Sequence, residues 1–267
     1  ISANSIQILV IDITQIKEAE ESLLQEKESV QDAIMAKTRF LAEMSHEIRN
    51  PLNGISGLIE LLCDANLPDK YLENIDILTS SFNQLMDLLN DTLDLTKIEQ
   101  GKMTPSYTNF DPLKEMQEVF DKLKKSKIPI QTRTSPSLPV LLYGDPHFLR
   151  RIVSNILTNS MKFTKEGKIL FSTSYENDNL VIVITDTGIG ISKDIQDRIF
   201  NTFAMGDSSM TRPFGGIGVG LALCKKMLNL INGTISLQSE VGVGSTFTVH
   251  FPYEATLVPY VPKFIRE

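Results

Sequence analysis

The 267-residue chain carries two cysteines, Cys63 and Cys224, far apart in sequence, and three histidines. With no spaced set of thiols or imidazoles, neither a disulfide framework nor a zinc site is indicated, and a reducing compartment fits best. No run of about 18 apolar residues occurs, so nothing in this stretch is built to span a bilayer, and no secretory leader is visible. Excess positive charge is also missing: the formal net charge is −7, which argues against a nucleic-acid or anionic-membrane surface while leaving room for a local basic pocket. What remains is a chain with 42% hydrophobic and 22% charged residues, enough for two modest domains with cores of their own.

From Ile13 a three-four rhythm runs through Ile16, Glu20, Leu23, Lys27, Val30, Ile34, Lys37, Leu41, Met44 and Ile48. That is a coiled-coil seam, weakened by its three charged positions. ANLPD at 65–69 breaks the helix. A second amphipathic run follows, through Leu72, Ile75, Leu78, Phe82, Leu85, Leu89 and Leu93, and ends at the helix-stop pair Gln100-Gly101. Two long helices and a short turn make an antiparallel hairpin that cannot bury both apolar stripes alone. Pairing with a second copy into a four-helix bundle is the expected solution, hence a homodimer.

After Pro105 the texture changes. Helices are expected at about 111–126, 145–163 and 217–231, and strands at KILFSTSY, LVIVITD, TISLQS and STFTVHF. Asn177, Asp178 and Asn179 turn the first strand pair. Helices and antiparallel strands are intermixed without βαβ alternation, so the fold class is α+β, a helical hairpin followed by a layered sandwich. The tail after Phe251, with Pro252, Pro259 and Pro262, reads as a linker. The expected divisions are 1–14, the end of a truncated upstream domain; 15–39, a coiled-coil helix; 40–104, the hairpin; 105–252, the sandwich; and 253–267, the linker.

Several residues carry chemistry. On the heptad seam His46 falls at f, facing away from the partner helix, with Glu47 beside it and Asn50 one turn on. A carboxylate that holds one ring N–H leaves the other nitrogen an oriented nucleophile. Pro51 removes a helix N–H and predicts a bend just past the site. On the 145–163 helix, Asn155, Asn159 and Lys162 lie at i, i+4 and i+7, off the apolar stripe of Leu149, Ile152, Val153, Ile156 and Leu157. Stacked asparagines are mediocre helix formers and need a reason. Amide oxygens suit Mg2+, Lys162 suits a phosphate, and Phe163 suits an adenine face.

Asp186 ends a strand before Gly188 and Gly190, where a carboxylate can accept from an exocyclic amine and bare backbone allows close approach. Gly216, Gly218 and Gly220 open the last helix, whose N-terminal amides attract phosphate. About 15 residues after Phe200, NTFAMGDSSMTRPFG, are long and polar enough for a lid, with Arg212 its cation.

MSHEIRNPLNGI at 44–55 resembles the phospho-accepting box of dimeric sensor histidine kinases. In order along the chain, the Asn155/Asn159 helix resembles the N box, DTGIG the first glycine box and IFNTF, with Phe200 and Phe203, the phenylalanine box. GGIGVGLAL resembles the second glycine box, and GVGSTF, with Thr246, the closing one. Ile217 and Val219 depart from residues common in that family. The resemblance spans 35–252 and implies a phosphoacceptor hairpin plus an ATP-binding sandwich of the kinase and gyrase type. It implies that His46 takes the γ-phosphoryl on Nε2, that Glu47 acts as its acid/base partner, and that Asn50 assists transfer or positions water. It further implies ATP and Mg2+ as cofactors, with Asn159 and Asn155 as metal ligands.

VIDITQIKEAEE resembles the junction leaving a PAS-type sensor. An upstream sensor and a response-regulator receiver aspartate are therefore the implied partners, the fragment is expected in the cytoplasm, and membrane anchoring of the full-length protein stays open. A gyrase- or chaperone-type ATPase, a binding-only scaffold and a regulator-specific phosphatase are the competing readings.

Overall fold

The computed structural model of this chain describes Lys17, Leu23, Leu24, Ile48, residues 51–63, Pro68, and residues 71–123, 128–201 and 218–256. Two compact units emerge, residues 1–64 and 65–267. The division falls at the helix break expected at 65–69 and groups the second long helix with the sandwich, where the sequence placed a boundary near 104.

In the first unit, Lys17, Leu23, Leu24 and Ile48 are helical, and helix α1 covers 51–63. Leu52 and Ile59, two turns apart, are buried, while Ile55, Leu58 and Leu61 are exposed.

In the second unit, α2 runs Leu72–Glu99. Its end is chemically specified: Gly101 takes φ +65°, donates to the Ile98 carbonyl, and is followed by Lys102 donating to the Lys97 carbonyl. This paired closure with a left-handed glycine satisfies the last carbonyls of the helix. Along α2, Leu72, Leu78 and Leu85 remain exposed, whereas Leu95 is buried.

The remaining elements in chain order are β1 (Thr108–Phe110), α3 (Pro112–Leu123), β2 (Ile130–Thr134), β3 (Leu142–Gly144), α4 (Pro146–Phe163), β4 (Ile169–Glu176), β5 (Asn179–Asp186), α5 (Lys193–Gln196), α6 (Gly220–Leu230), β6 (Thr234–Glu240), β7 (Gly244–Phe251) and β8 (Glu254–Ala255). Five strands form one sheet in the order β2-β4-β5-β7-β6. Alternation fixes its buried face: Ile169, Phe171 and Thr173 from β4, Leu180, Ile182 and Ile184 from β5, and Phe247, Val249 and Phe251 from β7. The apolar faces of α4 and α6 join these strands in one continuous core, giving helices packed on a sheet. The β4–β5 hairpin turns through Asn177 and Asp178, both at positive φ, as a two-residue turn of this hand requires.

Helix α4 starts where its sequence says. Asp145 caps it, one carboxylate oxygen accepting from the Phe148 N–H at 3.0 Å and the other from the Ser106 N–H at 2.6 Å. Pro146 stands at the first helical position, where its missing N–H costs nothing.

Three features correct the sequence reading. Strand β2, between Pro129 and Pro136, pairs parallel with β4, so the main sheet is mixed. β2 is a polar edge strand of mostly exposed residues, and such a strand carries no alternation to find. A second sheet, β1-β3-β8, is made of strands of two or three residues. Finally, Tyr253 is fully buried, donates its hydroxyl to the Asp145 carbonyl at 2.8 Å, and is followed by β8. Residues through Thr256 therefore belong to the sandwich, where the sequence placed a linker from 253.

Candidate nucleotide site

The site assembles where α4 ends against the turn leaving β5. Asp186 is buried, and its carboxylate accepts from the Gly188 N–H at 2.9 Å, the Ser245 N–H at 3.3 Å and the Ser160 hydroxyl at 3.3 Å. Burial raises the carboxyl above its usual range, and these three donors pull it back. Three donors converging on one buried acceptor hold it in a single orientation.

Gly188 is required for space. A Cβ on it would lie 2.6 Å from the Phe163 carbonyl oxygen and 2.9 Å from Asp186 Oδ1. The close packing lets the Ile189 N–H donate to the Phe163 carbonyl at 3.2 Å, pinning the turn to the end of α4. On its other flank the turn is locked to the β6–β7 connection. Ile191 N–H donates to Ser239 Oγ at 2.8 Å, and Gly242 N–H to the Ile189 carbonyl at 2.8 Å. Gly190, at φ +70°, has no room for a side chain against the Glu240 carbonyl.

On α4, Asn155 and Asn159 are half-buried. The Asn155 amide donates to the Gly220 carbonyl at 3.4 Å and toward Cys224 Sγ at 3.6 Å, which ties α4 to the first turn of α6. An amide oxygen is a hard donor of the kind Mg2+ takes, and Asn155 and Asn159, one turn apart, carry one each. Lys162 follows, half-buried, its ammonium 5.4 Å above the Phe163 ring. Desolvation lowers its pKa. Thr246 pairs with Thr185 across the strands, hydroxyl to hydroxyl at 3.1 Å, one residue beyond Ser245. Gly218 takes φ +72° just before α6.

Phe200 packs against the core edge with Lys225 Nζ 5.7 Å over its ring. It also lines a cleft of ≈ 510 Å³ with Asn201, Ala222, Lys225, Lys226 and Asn229. That cleft shares only Phe200 with the candidate set.

The structure thus brings together Phe163, Asp186, Gly188 and Gly190 at the α4–β5 end of the sandwich, with Asn159 and Lys162 on the last turns of α4 and Asn155 tied to Gly220 further back along it; Thr246, by the alternation of β7, stands on the other face of the sheet from Asp186, beside Thr185. His46, Glu47, Asn50, Phe203, Arg212 and Gly216 lie outside the described residues. Sequence reasoning missed Ser160 and Ser245, which hold the Asp186 carboxylate. Ser160 was legible only as a buried serine on the apolar face of α4, and Ser245 only through the register that sets it opposite Asp186. Among the described residues no group of His, Cys, Asp and Glu could hold a metal ion, and no helix is long and apolar enough to cross a membrane.

A sandwich with a buried acidic strand end, a glycine turn under it and paired asparagines on the facing helix defines a nucleotide-binding ATPase domain. Residues 144–255 match the family model described as "Histidine kinase-, DNA gyrase B-, and HSP90-like ATPase", and residues 36–101 match the "His Kinase A (phospho-acceptor) domain". The chain belongs to the sensor histidine kinase family. It is 34% identical over 259 residues to the sensor histidine kinase RcsC of Escherichia coli K12, covering 94% of this chain and 27% of that protein. It is 38% identical over 256 residues to the autoinducer 2 sensor kinase/phosphatase LuxQ of Vibrio vulnificus YJ016, covering 91% of this chain and 30% of that protein. Among solved structures, full-length ShkA in complex with AMPPNP aligns at TM-score 0.66 and 28% identity, covering 82% of this chain and 47% of that chain. The chain therefore spans under a third of these curated relatives.

Proposed function

We propose that this chain is the ATP-dependent protein-histidine kinase core of a longer sensor, phosphorylating its own His46 and passing the phosphoryl group to a receiver-domain aspartate. The observation that carries the reading is the buried, three-donor Asp186 carboxylate set beside Gly188, with Asn155, Asn159 and Lys162 in register on α4. Asp186 accepts from the adenine amine, and Lys162 meets the phosphates. The side-chain oxygens of Asn159 and Asn155 would hold Mg2+, which supplies charge neutralisation on the phosphates. Arg212 and Phe203 act from the lid segment, and Gly216, Gly218 and Gly220 bare backbone amides for the phosphates.

In the chemical step the Nε2 lone pair of His46 attacks the γ-phosphorus, the bond to the β-bridging oxygen breaks, and ADP leaves. Glu47 holds the Nδ1 proton. Chemistry of this kind depends on positioning and on neutralising spread charge. The phosphoryl group then moves from Nε2 to an aspartate oxygen of the receiver, restoring the imidazole. Asn50 positions a water for the reverse-directed activity, hydrolysis of the receiver's acyl phosphate. The exposed Leu72, Leu78 and Leu85 on α2 support pairing with a second copy. The upstream partner is a sensor domain, and nucleic acid and membrane are not partners of this segment.

The test is incubation with γ-labelled ATP and Mg2+ beside His46→Gln. Label on wild type alone, acid-labile and alkali-stable, is expected. Release of ADP and phosphate with no label on the protein would show an ATPase of the gyrase type instead.

A further inference from the structure

Helix α4 buries a stripe of Leu149, Ile152, Val153, Ile156 and Leu157, and the next residue in register is not apolar but Ser160, 2% exposed. A hydroxyl placed in such a stripe costs free energy unless it finds a partner. Within a helix the nearest partner is the carbonyl one turn back. Thr92 and Thr96 on α2 take it, and so does Thr158 on α4 itself, 2.7 Å from the Ser154 carbonyl. Ser160 instead sends its hydroxyl off the helix to Asp186 Oδ2, at 3.3 Å.

The two oxygens of Asp186 are not equivalent. Oδ1 accepts from the Gly188 N–H at 2.9 Å and from the Ser245 N–H at 3.3 Å, which fills its two lone pairs with backbone donors. Oδ2 accepts from Ser160 alone among the described residues and keeps one lone pair open. An exocyclic amine is therefore received at Oδ2, the oxygen that Ser160 shares. Backbone fixes Oδ1 as an acceptor, whereas a side chain decides the state of Oδ2.

We propose that Ser160 selects the purine in this site: its hydroxyl holds Asp186 Oδ2 as an acceptor, so that nucleotides with an amine at C6 of the purine are taken and those with an oxygen there are rejected. The inference rests on the nucleotide reading of Asp186 above. Ser160 is a positioning residue, acting through Asp186 without touching the base. A donor directed at Oδ2 favours the charged carboxylate over the protonated acid, and it works with the two N–H groups against burial, which raises the carboxyl. A charged Oδ2 attracts the N–H of a 6-amino group and repels the oxygen of a 6-oxo group, so the same atom both accepts one base and excludes the other. Without Ser160, Oδ2 is left buried with no donor. Taking a proton relieves it, and a protonated oxygen donates to a C6 oxygen instead of accepting from an amine.

The experiment measures, by isothermal titration of the full 267-residue chain with Mg2+, the affinities of three diphosphates that differ at C6. ADP carries an amine there, purine riboside diphosphate a hydrogen and inosine diphosphate an oxygen. Diphosphates bind without phosphoryl transfer to the protein. Wild type is expected to bind ADP about tenfold tighter than purine riboside diphosphate, as one hydrogen bond to a charged acceptor gives. Ser160→Ala should lower that ratio at least threefold by weakening ADP, with purine riboside diphosphate within twofold of wild type, and should narrow the gap between ADP and inosine diphosphate. Ser160→Cys, close to serine in volume and a weak donor, should fall between the two. It carries the test if alanine disturbs the packing of α4, which thermal melting of both variants reveals.

A substitution that merely loosens the fold weakens all three nucleotides in parallel, and parallel loss overturns the proposal. So does an alanine variant that keeps the wild-type ratio. A wild-type chain that binds ADP and purine riboside diphosphate equally overturns it too, and takes from Asp186 the part of amine acceptor. Failure of wild type to bind any of the three defeats the nucleotide reading itself, an outcome distinct from a selectivity that does not depend on Ser160.

Discussion

The side-chain amide of Asn155 donates to the carbonyl of Gly220 at 3.4 Å, joining the middle of α4 to the first residue of α6. One residue therefore braces two helices, whereas Asn159, one turn on, makes no such tie. The two asparagines should separate by assay. Asn155→Ala is expected to lower nucleotide affinity and, through about 1 kcal/mol of lost hydrogen bonding, the melting temperature as well. Asn159→Ala should lower affinity and leave the melting temperature within a degree or two. Equal melting shifts in the two variants would remove the bracing role from Asn155.

Gly188→Ala forces a methyl against the Phe163 carbonyl and the Asp186 carboxylate. Overpacking of this kind costs about 1–3 kcal/mol, and if both clashing groups line the end of the site proposed to hold the purine, affinity should fall tenfold or more. Isothermal titration with a non-hydrolysable ATP analogue, alongside thermal melting, measures both. An alanine variant that binds as wild type would mean that the turn leaving β5 moves freely, against its hydrogen bonds to α4 and to the β6–β7 turn.

Asp145 and Tyr253 hold the start of α4 from two sides. Asp145→Ala removes a cap and orphans the Ser106 N–H, a loss of about 2 kcal/mol. Tyr253→Phe deletes one buried hydrogen bond while keeping the ring edge-on to Phe110, a loss of about 1 kcal/mol. Denaturant unfolding should rank them in that order, and the reverse order would mean that the ring packing is disturbed as well.

The two thiols should differ sharply. Cys63 is exposed and Cys224 buried, and burial pushes the Cys224 thiol up to about 12, where almost no thiolate exists at neutral pH. A thiol reagent is expected to consume one equivalent quickly and the second only on unfolding. Two fast equivalents would show that α6 opens readily from α4.

Asp91 gives the fold a pH dependence of defined sign. The folded chain holds its proton more tightly than the unfolded chain does, so the stability it confers is complete below the ordinary carboxylate range and is lost as pH rises through about 6. Between about pH 4 and 6, wild type should lose on the order of 1–2 kcal/mol relative to Asp91→Asn, the residual solvent contact of the group keeping the loss modest. Parallel pH profiles for the two proteins would place Asp91 in water.

Much of the molecule was legible before any coordinates. The stop of α2 at Gln100-Gly101 is written in a glycine that alone takes the left-handed turn cheaply, and the start of α4 in Asp145-Pro146. The β4 and β5 strands declare themselves by alternation, and the Asn155, Asn159 and Lys162 register follows from the helical period. The small sheet was not legible, because strands of two or three residues show no period. Nor was β2, whose exposed polar residues earn their place only by hydrogen bonding to β4.

The sequence by itself determined the elements and the family, since local periodicity, caps and ordered motifs act over a few residues to a few turns and survive being read in one dimension. Tertiary structure alone decided which distant groups share a charge or a proton. Ser160 and Ser245 meet Asp186, and Asp91 meets Arg151 from 60 residues away, because burial and electrostatic pairing depend on distances through space that chain separation does not encode.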